Sequence, residues 1–200
     1  MKQIPYGRQS ISKKDLNEVV KSLSNDLITT GPYVKKFENL IKKTLKAKFA
    51  LTCTSGTAAL HLAFMSINLK KEDVIILPII NFIAASNLAS MLQAKIYYAD
   101  VCPNTGQMTP ETLEACVKKN KLKNIKAVVA MYLGGNPDNI NNFYYLKKKY
   151  KFYLLEDACH ALGSKYIYNG KIYNVGSCIH SDICIFSLHP LKTITSGEGG

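Results

Sequence analysis

Short apolar runs alternate with helical patterns along most of this chain. Runs of strand length lie at Phe49–Cys53, Val74–Leu77, Ile96–Ala99, Ala127–Met131, Phe152–Leu155 and Ile183–Phe186. Apolar residues recur at helical spacing in the stretches Ala58–Ser66, Ile83–Leu92, Pro110–Lys119 and Asn139–Tyr150. This alternation predicts parallel strands joined by right-handed crossover helices, so we expect an α/β fold whose mostly parallel central sheet is sandwiched by helices.

Two more helices and one hairpin complete the predicted elements. Ser12 caps the first helix, with Asp15 three residues further on, and Gly31-Pro32 opens the second. Within Tyr166–Tyr173, Asn169-Gly170 separates two tyrosine-rich segments. Because this dipeptide favours two positive φ angles in succession, the pattern predicts a β-hairpin with a type I′ turn.

The composition is that of a folded protein with one sizeable core. Hydrophobic residues make up 47% of the 200 positions, which excludes an intrinsically disordered chain. No apolar run is long enough to span a membrane, and the first residues lack the apolar core of a secretory signal. The six cysteines are scattered without a C-x-x-C pair, so we expect a reduced, cytoplasmic protein without a structural metal.

The net charge of +12 raises the question of an anionic partner. Nearly all the basic residues are lysines on predicted helix faces, and Arg8 is the only arginine. Proteins that recognise specific nucleic-acid sequences rely on arginine and aromatic side chains. A solvated lysine-rich surface therefore explains the charge better than a nucleic-acid partner does. We expect no nucleic-acid partner and no membrane contact, although the charge would favour a negatively charged nucleotide substrate.

Lys192 is the strongest chemical signal in the sequence. It follows the apolar run Ile183–Phe186 closely, and a lysine beside the end of a buried strand is costly unless its amine is used. One use is a Schiff base with an aldehyde cofactor. Burial favours this bond because it disfavours the charged ammonium and leaves a nucleophilic amine.

A second signal is the turn Thr54–Ala58, which lies between a predicted strand and a predicted helix. The start of a helix presents free backbone N–H groups and the positive end of the helix dipole, both of which suit a phosphate group. Gly56 would let a ligand approach the backbone, and the hydroxyl of Thr57 would donate a further hydrogen bond. The same pattern also occurs as plain helix capping, so this turn by itself leaves both interpretations open.

A third signal is Asp157, which ends a predicted strand. A carboxylate there either caps the next turn or, beside a pyridine ring, keeps the ring nitrogen protonated. Its companions are His160 three residues on, Ser187 as a second hydroxyl for a phosphate, and Phe82 as a ring to stack on the cofactor. Strand ends of an open α/β sheet collect at one edge. Together with the lysine and the glycine turn, these groups point to pyridoxal 5′-phosphate.

The same motifs resemble those of the DegT/DnrJ/EryC1/StrS sugar aminotransferases, which are pyridoxal-phosphate enzymes of fold type I. The resemblance extends from Ile4 to Gly200 and depends most on Glu156-Asp157 and Phe186–Gly200. Within the family, the chain is similar to the subgroup of the pseudaminic acid pathway. The segments that carry this finer similarity are Ile4–Ile11, Glu156–Gly163 and Val175–Asp182.

The resemblance implies a role for each candidate residue. Lys192 would bind the cofactor and shuttle protons, and Asp157 would pair with the ring nitrogen. The phosphate would be held by Gly56, Thr57, Ala58 and Ser187. Phe82 would cover one face of the ring, and His160 would lie near its phenolic oxygen, where most of the family has glutamine. The role of His189 stays open.

The resemblance also implies a domain arrangement. Residues 1–30 would form an N-terminal segment and helix, and residues 31–200 a cofactor-binding large domain. Because a glycine-rich turn such as Gly199-Gly200 normally leads into another element, we expect this domain to be incomplete at its C-terminal end. The family's C-terminal small domain would then be absent from the chain. Family members form homodimers in which the partner subunit completes each active site.

The implied reaction transfers an amino group from glutamate to C4 of a UDP-linked 4-keto-6-deoxy-N-acetylhexosamine in pseudaminic acid biosynthesis. Related dehydrases carry histidine in place of the Schiff-base lysine, so Lys192 favours transamination. Two alternatives stay open at this point. One is an aminotransferase of the same family that acts on another nucleotide sugar, and the other is an inactive, truncated fragment that binds the cofactor.

Overall fold

The structure of the chain is a computed structural model that describes Pro5 and residues 7–200. Two residues of the opening motif, Ile4 and Tyr6, lie outside the described residues. The helices are α1 (Lys13–Leu23), α2 (Pro32–Leu45), α3 (Gly56–Ser66), α4 (Ala84–Met91), α5 (Pro110–Lys119) and α6 (Ile140–Tyr150). The strands are β1 (Val74–Pro78), β2 (Lys95–Ala99), β3 (Ile125–Met131), β4 (Tyr153–Asp157), β5 (Lys165–Tyr168), β6 (Lys171–Asn174) and β7 (Ile183–Ile185). A 3₁₀ turn occupies Leu133–Gly135.

Five strands form one sheet in the order β2-β1-β3-β4-β7, and every neighbouring pair is parallel. Helices α3 and α4 pack on one face of the sheet, where Phe64 and Leu155 are buried. Helices α5 and α6 cover the other face, where Phe143 and Leu154 are buried. Neighbouring residues of a strand point to opposite faces, which is why Leu154 and Leu155 belong to different cores. The predicted α/β class is confirmed, and the architecture is that of fold type I.

One predicted strand is wrong, whereas the other five lie within two residues of their expected bounds. Residues Phe49–Cys53 belong to neither sheet. Within the described part of the chain, cross-strand backbone bonding of this segment is limited to Cys53, whose N–H donates to the oxygen of Gly200 (2.9 Å) and whose oxygen accepts from the N–H of Gly200 (3.0 Å). A strand needs a partner along its length, and here pairing is confined to one residue. An apolar groove of about 770 Å³ is lined by this segment, α2 and β7.

The predicted helix starts and the hairpin are confirmed. Ser12 and Asp15 form a reciprocal capping box at α1, and Pro32 is the first residue of α2. Strands β5 and β6 pair in antiparallel fashion. Between them Asn169 has φ 47° and Gly170 has φ 73°, which matches the two positive φ angles of a type I′ turn.

Lysines concentrate at the ends of helices. The last turns of α2, α5 and α6 contain Lys42, Lys43, Lys118, Lys119, Lys147, Lys148 and Lys149. A helix C-terminus carries partial negative charge, so lysines are favourable there. Because crossover helices run against parallel strands, the ends of α5 and α6 lie at the edge of the sheet opposite the carboxyl ends of the strands. The five lysines in the last turns of α5 and α6 therefore offset helix dipoles at the far edge of the sheet.

Helix α1 has no buried residue. Its apolar stripe is Leu16, Val19, Val20 and Leu23, whose side chains are 56–64% exposed. The helical spacing of these residues predicted the helix correctly, yet the described residues do not cover the stripe. None of the helices that the structure describes combines the length and the apolar character that a membrane crossing requires.

Candidate cofactor site

The N-terminus of α3 supplies the proposed phosphate donors. Ser55 caps this helix, since its Oγ accepts a hydrogen bond from the N–H of Ala58 (3.1 Å). The amide of Ala58, a predicted phosphate donor, is therefore already used by the cap. The amides of Gly56 and Thr57 lie in the first turn, where a helix offers no carbonyl partner. These two amides, together with the exposed side chain of Thr57, are the donors that a phosphate group would meet.

Gly56 is the point at which three segments meet. A Cβ atom added at Gly56 would lie 3.0 Å from Cβ of Ser187 and 3.2 Å from Sγ of Cys159. Ser187 follows β7, and Cys159 follows β4. The structure therefore brings Ser187 beside the glycine turn at the carboxyl edge of the sheet.

Lys192 lies in a loop whose ends are joined. The N–H of Leu188 donates to the oxygen of Gly199 (2.8 Å), and the N–H of Lys192 donates to the oxygen of His189 (2.9 Å). The residue after the loop, Gly200, lies against the glycine turn, because a Cβ added to it would be 2.6 Å from the nitrogen of Gly56. The loop that carries the lysine thus begins and ends beside the proposed phosphate site.

Asp157 occupies the middle of the same edge. It is the last residue of β4, paired with Met131 of β3 on one side and Ile185 of β7 on the other. Its side chain is buried, with 3% of the residue exposed. Oδ1 accepts a hydrogen bond from the N–H of Cys159 (3.2 Å). The strand therefore fixes the carboxylate at the carboxyl edge of the sheet.

The charges of Lys192 and Asp157 act on the same two side chains. The pKa of His160 is lowered, first by burial and then by Lys192, and Asp157 opposes this effect. The pKa of the Cys159 thiol is raised, first by burial and then by Asp157, and Lys192 opposes that. Lys192 and Asp157 are therefore within electrostatic range of the same two side chains. Both shifts keep the thiol and the imidazole uncharged near neutral pH.

Phe82 and His189 lie at the edge of the group formed by Asp157, Lys192 and the glycine turn. Phe82 lies in the connection from β1 to α4 and is 63% exposed, so its place over a cofactor ring stays a prediction. His189 stabilises its own turn, because its N–H donates to Oγ of Ser187 (3.3 Å) and its Nδ1 accepts from the N–H of Leu191 (3.3 Å). The side chain of His189 therefore bonds only two residues away, within its own turn.

Sequence reasoning missed two residues that shape the site. Cys159 lies between Asp157 and Gly56, and its only sequence signal is its place two residues after the aspartate. Gly135 has φ 83°, and a Cβ added there would lie 2.6 Å from the oxygen of His160. The chain after β3 therefore packs directly against the turn that carries His160, and the double glycine after that strand was the signal for it.

We expect Gly56→Ala to destabilise the fold by about 1–3 kcal/mol, because the added methyl group has to displace Ser187 and Cys159. Urea unfolding measures this loss. Gly170→Ala is a matched control, since its φ of 73° strains any L residue while nothing lies within 4 Å of the added Cβ. Gly56→Ala is further expected to weaken the binding of pyridoxal 5′-phosphate, unlike the control. Equal cofactor affinities in the two variants would contradict a phosphate site at Gly56.

The chemistry of these groups fits pyridoxal 5′-phosphate. The phosphate of the cofactor suits the free amides at the start of α3. Its ring nitrogen requires a carboxylate, which Asp157 supplies, and its aldehyde requires an amine, which Lys192 supplies. All three groups lie on segments that meet at one edge of the sheet.

Comparisons with known proteins agree with this fit. The chain is 37% identical over 197 residues to UDP-4-amino-4,6-dideoxy-N-acetyl-beta-L-altrosamine transaminase of Campylobacter jejuni subsp. jejuni serotype O:23/36 (strain 81-176), covering 98% of this chain and 50% of that protein. The fold of the chain matches that of Helicobacter pylori PseC, described as an aminotransferase involved in the biosynthesis of pseudoaminic acid. The TM-score is 0.86 and the identity 27%, and the match covers 99% of this chain and 51% of PseC. It also matches Spr1654 from Streptococcus pneumoniae in its PLP form, with a TM-score of 0.86 and 25% identity over 98% of this chain and 52% of that one.

The extent of these matches is as informative as their identity. The chain spans about half the length of the relatives it matches. The matched half contains the glycine turn, Asp157 and Lys192. A family model matches residues 9–200, and the chain belongs to the DegT/DnrJ/EryC1/StrS aminotransferase family.

Proposed function

We propose that this protein transfers an amino group from glutamate to C4 of a UDP-linked 4-keto-6-deoxy-N-acetylhexosamine in pseudaminic acid biosynthesis, with pyridoxal 5′-phosphate as cofactor. The observation that carries the proposal is that the loop with Lys192, the strand end with Asp157 and the start of α3 meet at one edge of the parallel sheet. The sugar is inferred from the Campylobacter jejuni relative. Because the chain spans half of that relative, the proposed activity is that of the whole protein.

Lys192 has two tasks in this proposal. With the cofactor in place, Nζ would hold its aldehyde carbon, the amine of glutamate would then take over that carbon, and the released Nζ would be free to move protons. In the first half of the reaction Nζ would remove the proton from the α-carbon of glutamate, and in the second half it would deliver a proton to C4 of the sugar. When bound, the cofactor supplies a protonated pyridine ring that withdraws electrons from the bond that breaks. A positioned proton donor or acceptor contributes about 10²–10⁴-fold to such a step.

The other residues hold and tune the cofactor. Asp157 keeps a proton on the ring nitrogen, which is possible because its carboxylate is buried at the end of β4. His160 is kept uncharged by burial and by Lys192, so its imidazole offers a neutral hydrogen bond to the phenolic oxygen. The amides and hydroxyl at the start of α3, with Ser187, bind the phosphate.

A second copy of the protein is part of the proposal. Four apolar residues follow β1 directly at the carboxyl edge of the sheet, and their side chains are 47–63% exposed: Ile79, Ile80, Phe82 and Ile83. A contiguous exposed apolar surface usually marks an interaction site. A homodimer that covers these residues would also shield the cofactor from water.

The protein as the cell makes it is expected to bind pyridoxal 5′-phosphate with a visible absorption band that borohydride removes. Peptide mapping is then expected to find the reduced adduct on Lys192. With glutamate and the UDP-linked 4-keto sugar, the loaded protein is expected to form 2-oxoglutarate and the 4-amino sugar in equal amounts. Mass spectrometry of the sugar product measures the transfer.

The competing interpretations give different results in the same experiment. Faster transfer to another nucleotide-linked 4-keto sugar, at equal concentration, would assign the protein to a different product within the family. Cofactor binding without transfer to any keto sugar would favour an inactive binding protein. An adduct on a lysine other than Lys192 would contradict the site itself.

A further inference from the structure

Glu156 is a buried carboxyl group that the proposed reaction does not use. It precedes Asp157 in β4 and therefore points to the opposite face of the sheet. It is 1% exposed, and its Oε2 has no hydrogen-bond partner among the described residues. A buried carboxyl group left without a partner carries a large cost if it is charged. Its surroundings therefore decide which form it takes.

The groups near Glu156 are uncharged. Cys184 is its register partner in β7, and Ser181, Tyr132 and the backbone of Gly176 lie near enough to affect the pKa of the carboxyl group. The hydroxyls of Tyr132 and Ser181 are themselves buried and have no hydrogen-bond partner within the part of the chain that the structure describes. Tyr132 follows β3, and Ser181 and Cys184 belong to the segment that enters and forms β7. The carboxyl group therefore lies on the back face of the sheet, near the carboxyl ends of β3 and β4 and beside the middle of β7.

The ionisable neighbours are all uncharged near neutral pH. Burial raises the pKa of Tyr132, Tyr166, Cys178 and Cys184, and Glu156 raises each of them further. None of these groups offers the positive charge that would hold a buried carboxylate in its ionised form. Burial accordingly raises the pKa of Glu156 to about 7, and the nearby polar groups of Ser181, Cys184, Tyr132 and Gly176 only partly offset this effect.

This cluster is connected to the cofactor site through the backbone. The N–H of Tyr132 donates to the oxygen of Asp157 (3.1 Å), and the N–H of Ala158 donates to the oxygen of Ile185 (2.9 Å). Asp157 is thus held from both neighbouring strands at the point where β4 ends. Glu156 directly precedes Asp157 in β4, and Tyr132 supplies one of these bonds.

We propose that Glu156 is a positioning residue, whose protonated carboxyl group joins Tyr132 and Ser181 behind the sheet and fixes the strand end from which Asp157 reaches the cofactor. The inference rests on the proposed function, because it assigns Asp157 to the ring nitrogen. Removing the carboxyl group loosens the end of β4, and the carboxylate of Asp157 then loses its fixed position. Glutamine preserves both the shape and the neutral form of the side chain.

The proposal has a consequence for stability that does not involve the cofactor. An unfolded glutamate titrates near 4.5, whereas the folded pKa of Glu156 is about 7. The folded state therefore holds this proton more tightly. The stabilisation is complete below pH 4.5 and is lost as the pH rises to about 7. Relative to Glu156→Gln, which does not titrate, the melting temperature of the parent is expected to fall across this window.

The test compares Glu156→Gln, Glu156→Ala and Leu154→Ala in the protein as the cell makes it, with pyridoxal 5′-phosphate as the probe. Leu154 is fully buried on the same face of the same strand, so its alanine variant reports a cavity without touching the hydroxyl cluster. Glu156→Ala is expected to weaken cofactor binding about tenfold, the lower end of the effect when groups that orient metal-binding residues are removed. It is also expected to shift the pH titration of the bound cofactor's absorption. Glu156→Gln is expected to stay within about twofold of the parent in affinity.

The outcomes distinguish a failure of the positioning role of Glu156 from a failure of the proposed function. If both alanine variants melt at a lower temperature but keep the cofactor affinity and absorption titration of the parent, Glu156 has no positioning role. It would then contribute only to the stability of the fold. Weakened binding in Glu156→Gln equal to that in Glu156→Ala would show that the group acts as a charged carboxylate. A parent protein that does not bind pyridoxal 5′-phosphate at all would refute the proposed function instead.

Discussion

Alanine at position 192 is expected to reduce amino transfer by at least about 10³-fold, because it removes both the cofactor's covalent anchor and the group that moves protons. The structure places the lysine for this task, since its loop returns at Gly200 to the turn that begins α3. The measurement is single-turnover formation of 2-oxoglutarate from glutamate, with the cofactor added in excess so that weaker binding alone does not explain the loss.

His189→Ala is the matched control for this substitution. His189 lies in the same loop, is exposed, and makes only local hydrogen bonds within its turn. We expect the control to keep most of the turnover of the parent. Turnover of Lys192→Ala within tenfold of the control would rule out the proposed role of the lysine.

The position of Lys192 also has a test that needs no turnover. Lys192 lowers the pKa of His160, so Lys192→Ala in the cofactor-free protein is expected to raise that pKa. NMR titration of the imidazole resonances measures the change. An unchanged titration would mean that the amine lies farther from His160 than the structure places it.

Much of the fold is predictable from local sequence, because its helices and strands have strong local signals. The capping box of Ser12 and the dipeptide Asn169-Gly170 each specify a backbone geometry by themselves. Residues Phe49–Cys53 have the apolar pattern of a strand but lie in neither sheet. A strand forms only where a neighbouring strand can bond to its backbone, and the apolar pattern contains no information about that neighbour. Long-range pairing is the information that the local pattern lacks.

The candidate site likewise contains residues that local sequence predicts and contacts that it does not. Lys192 and Asp157 were predicted because each follows an apolar run, and strand ends of a parallel sheet collect at one edge. The contact between Cys159 and Gly56 was not predicted, since it depends on how the turn after β4 packs on α3. The isolation of Glu156 from any positive charge also appears only in three dimensions, because the sequence shows a glutamate but not its neighbours.

Asp157→Asn is expected to lower turnover by about 10²–10³-fold while largely preserving the fold. Asparagine keeps the size of the side chain and an oxygen that accepts the N–H of Cys159 (3.2 Å in the parent). It lacks the negative charge that keeps the ring nitrogen of the cofactor protonated, and two pKa units or more of lost stabilisation correspond to this loss of rate. Steady-state turnover and the absorption spectrum of the bound cofactor across pH measure the two effects.

Asp182→Asn is the control, because Asp182 is a hydrogen-bonded aspartate that precedes β7 at the opposite edge of the sheet. Its Oδ2 accepts from the N–H of Leu154 (2.8 Å), and its Oδ1 pairs with Lys147 (2.7 Å). The control is expected to lose stability but not turnover per folded molecule.

The titration of His160 gives Asp157→Asn a signature opposite to that of Lys192→Ala. Asp157 raises the pKa of His160, whereas Lys192 lowers it. Removing the carboxylate is therefore expected to lower the imidazole pKa, and removing the amine to raise it. Shifts of the same sign in the two variants would mean that His160 responds to a general loosening of the turn. Opposite shifts would place the imidazole between two fixed charges, the arrangement that a cofactor with an acidic and a basic end requires.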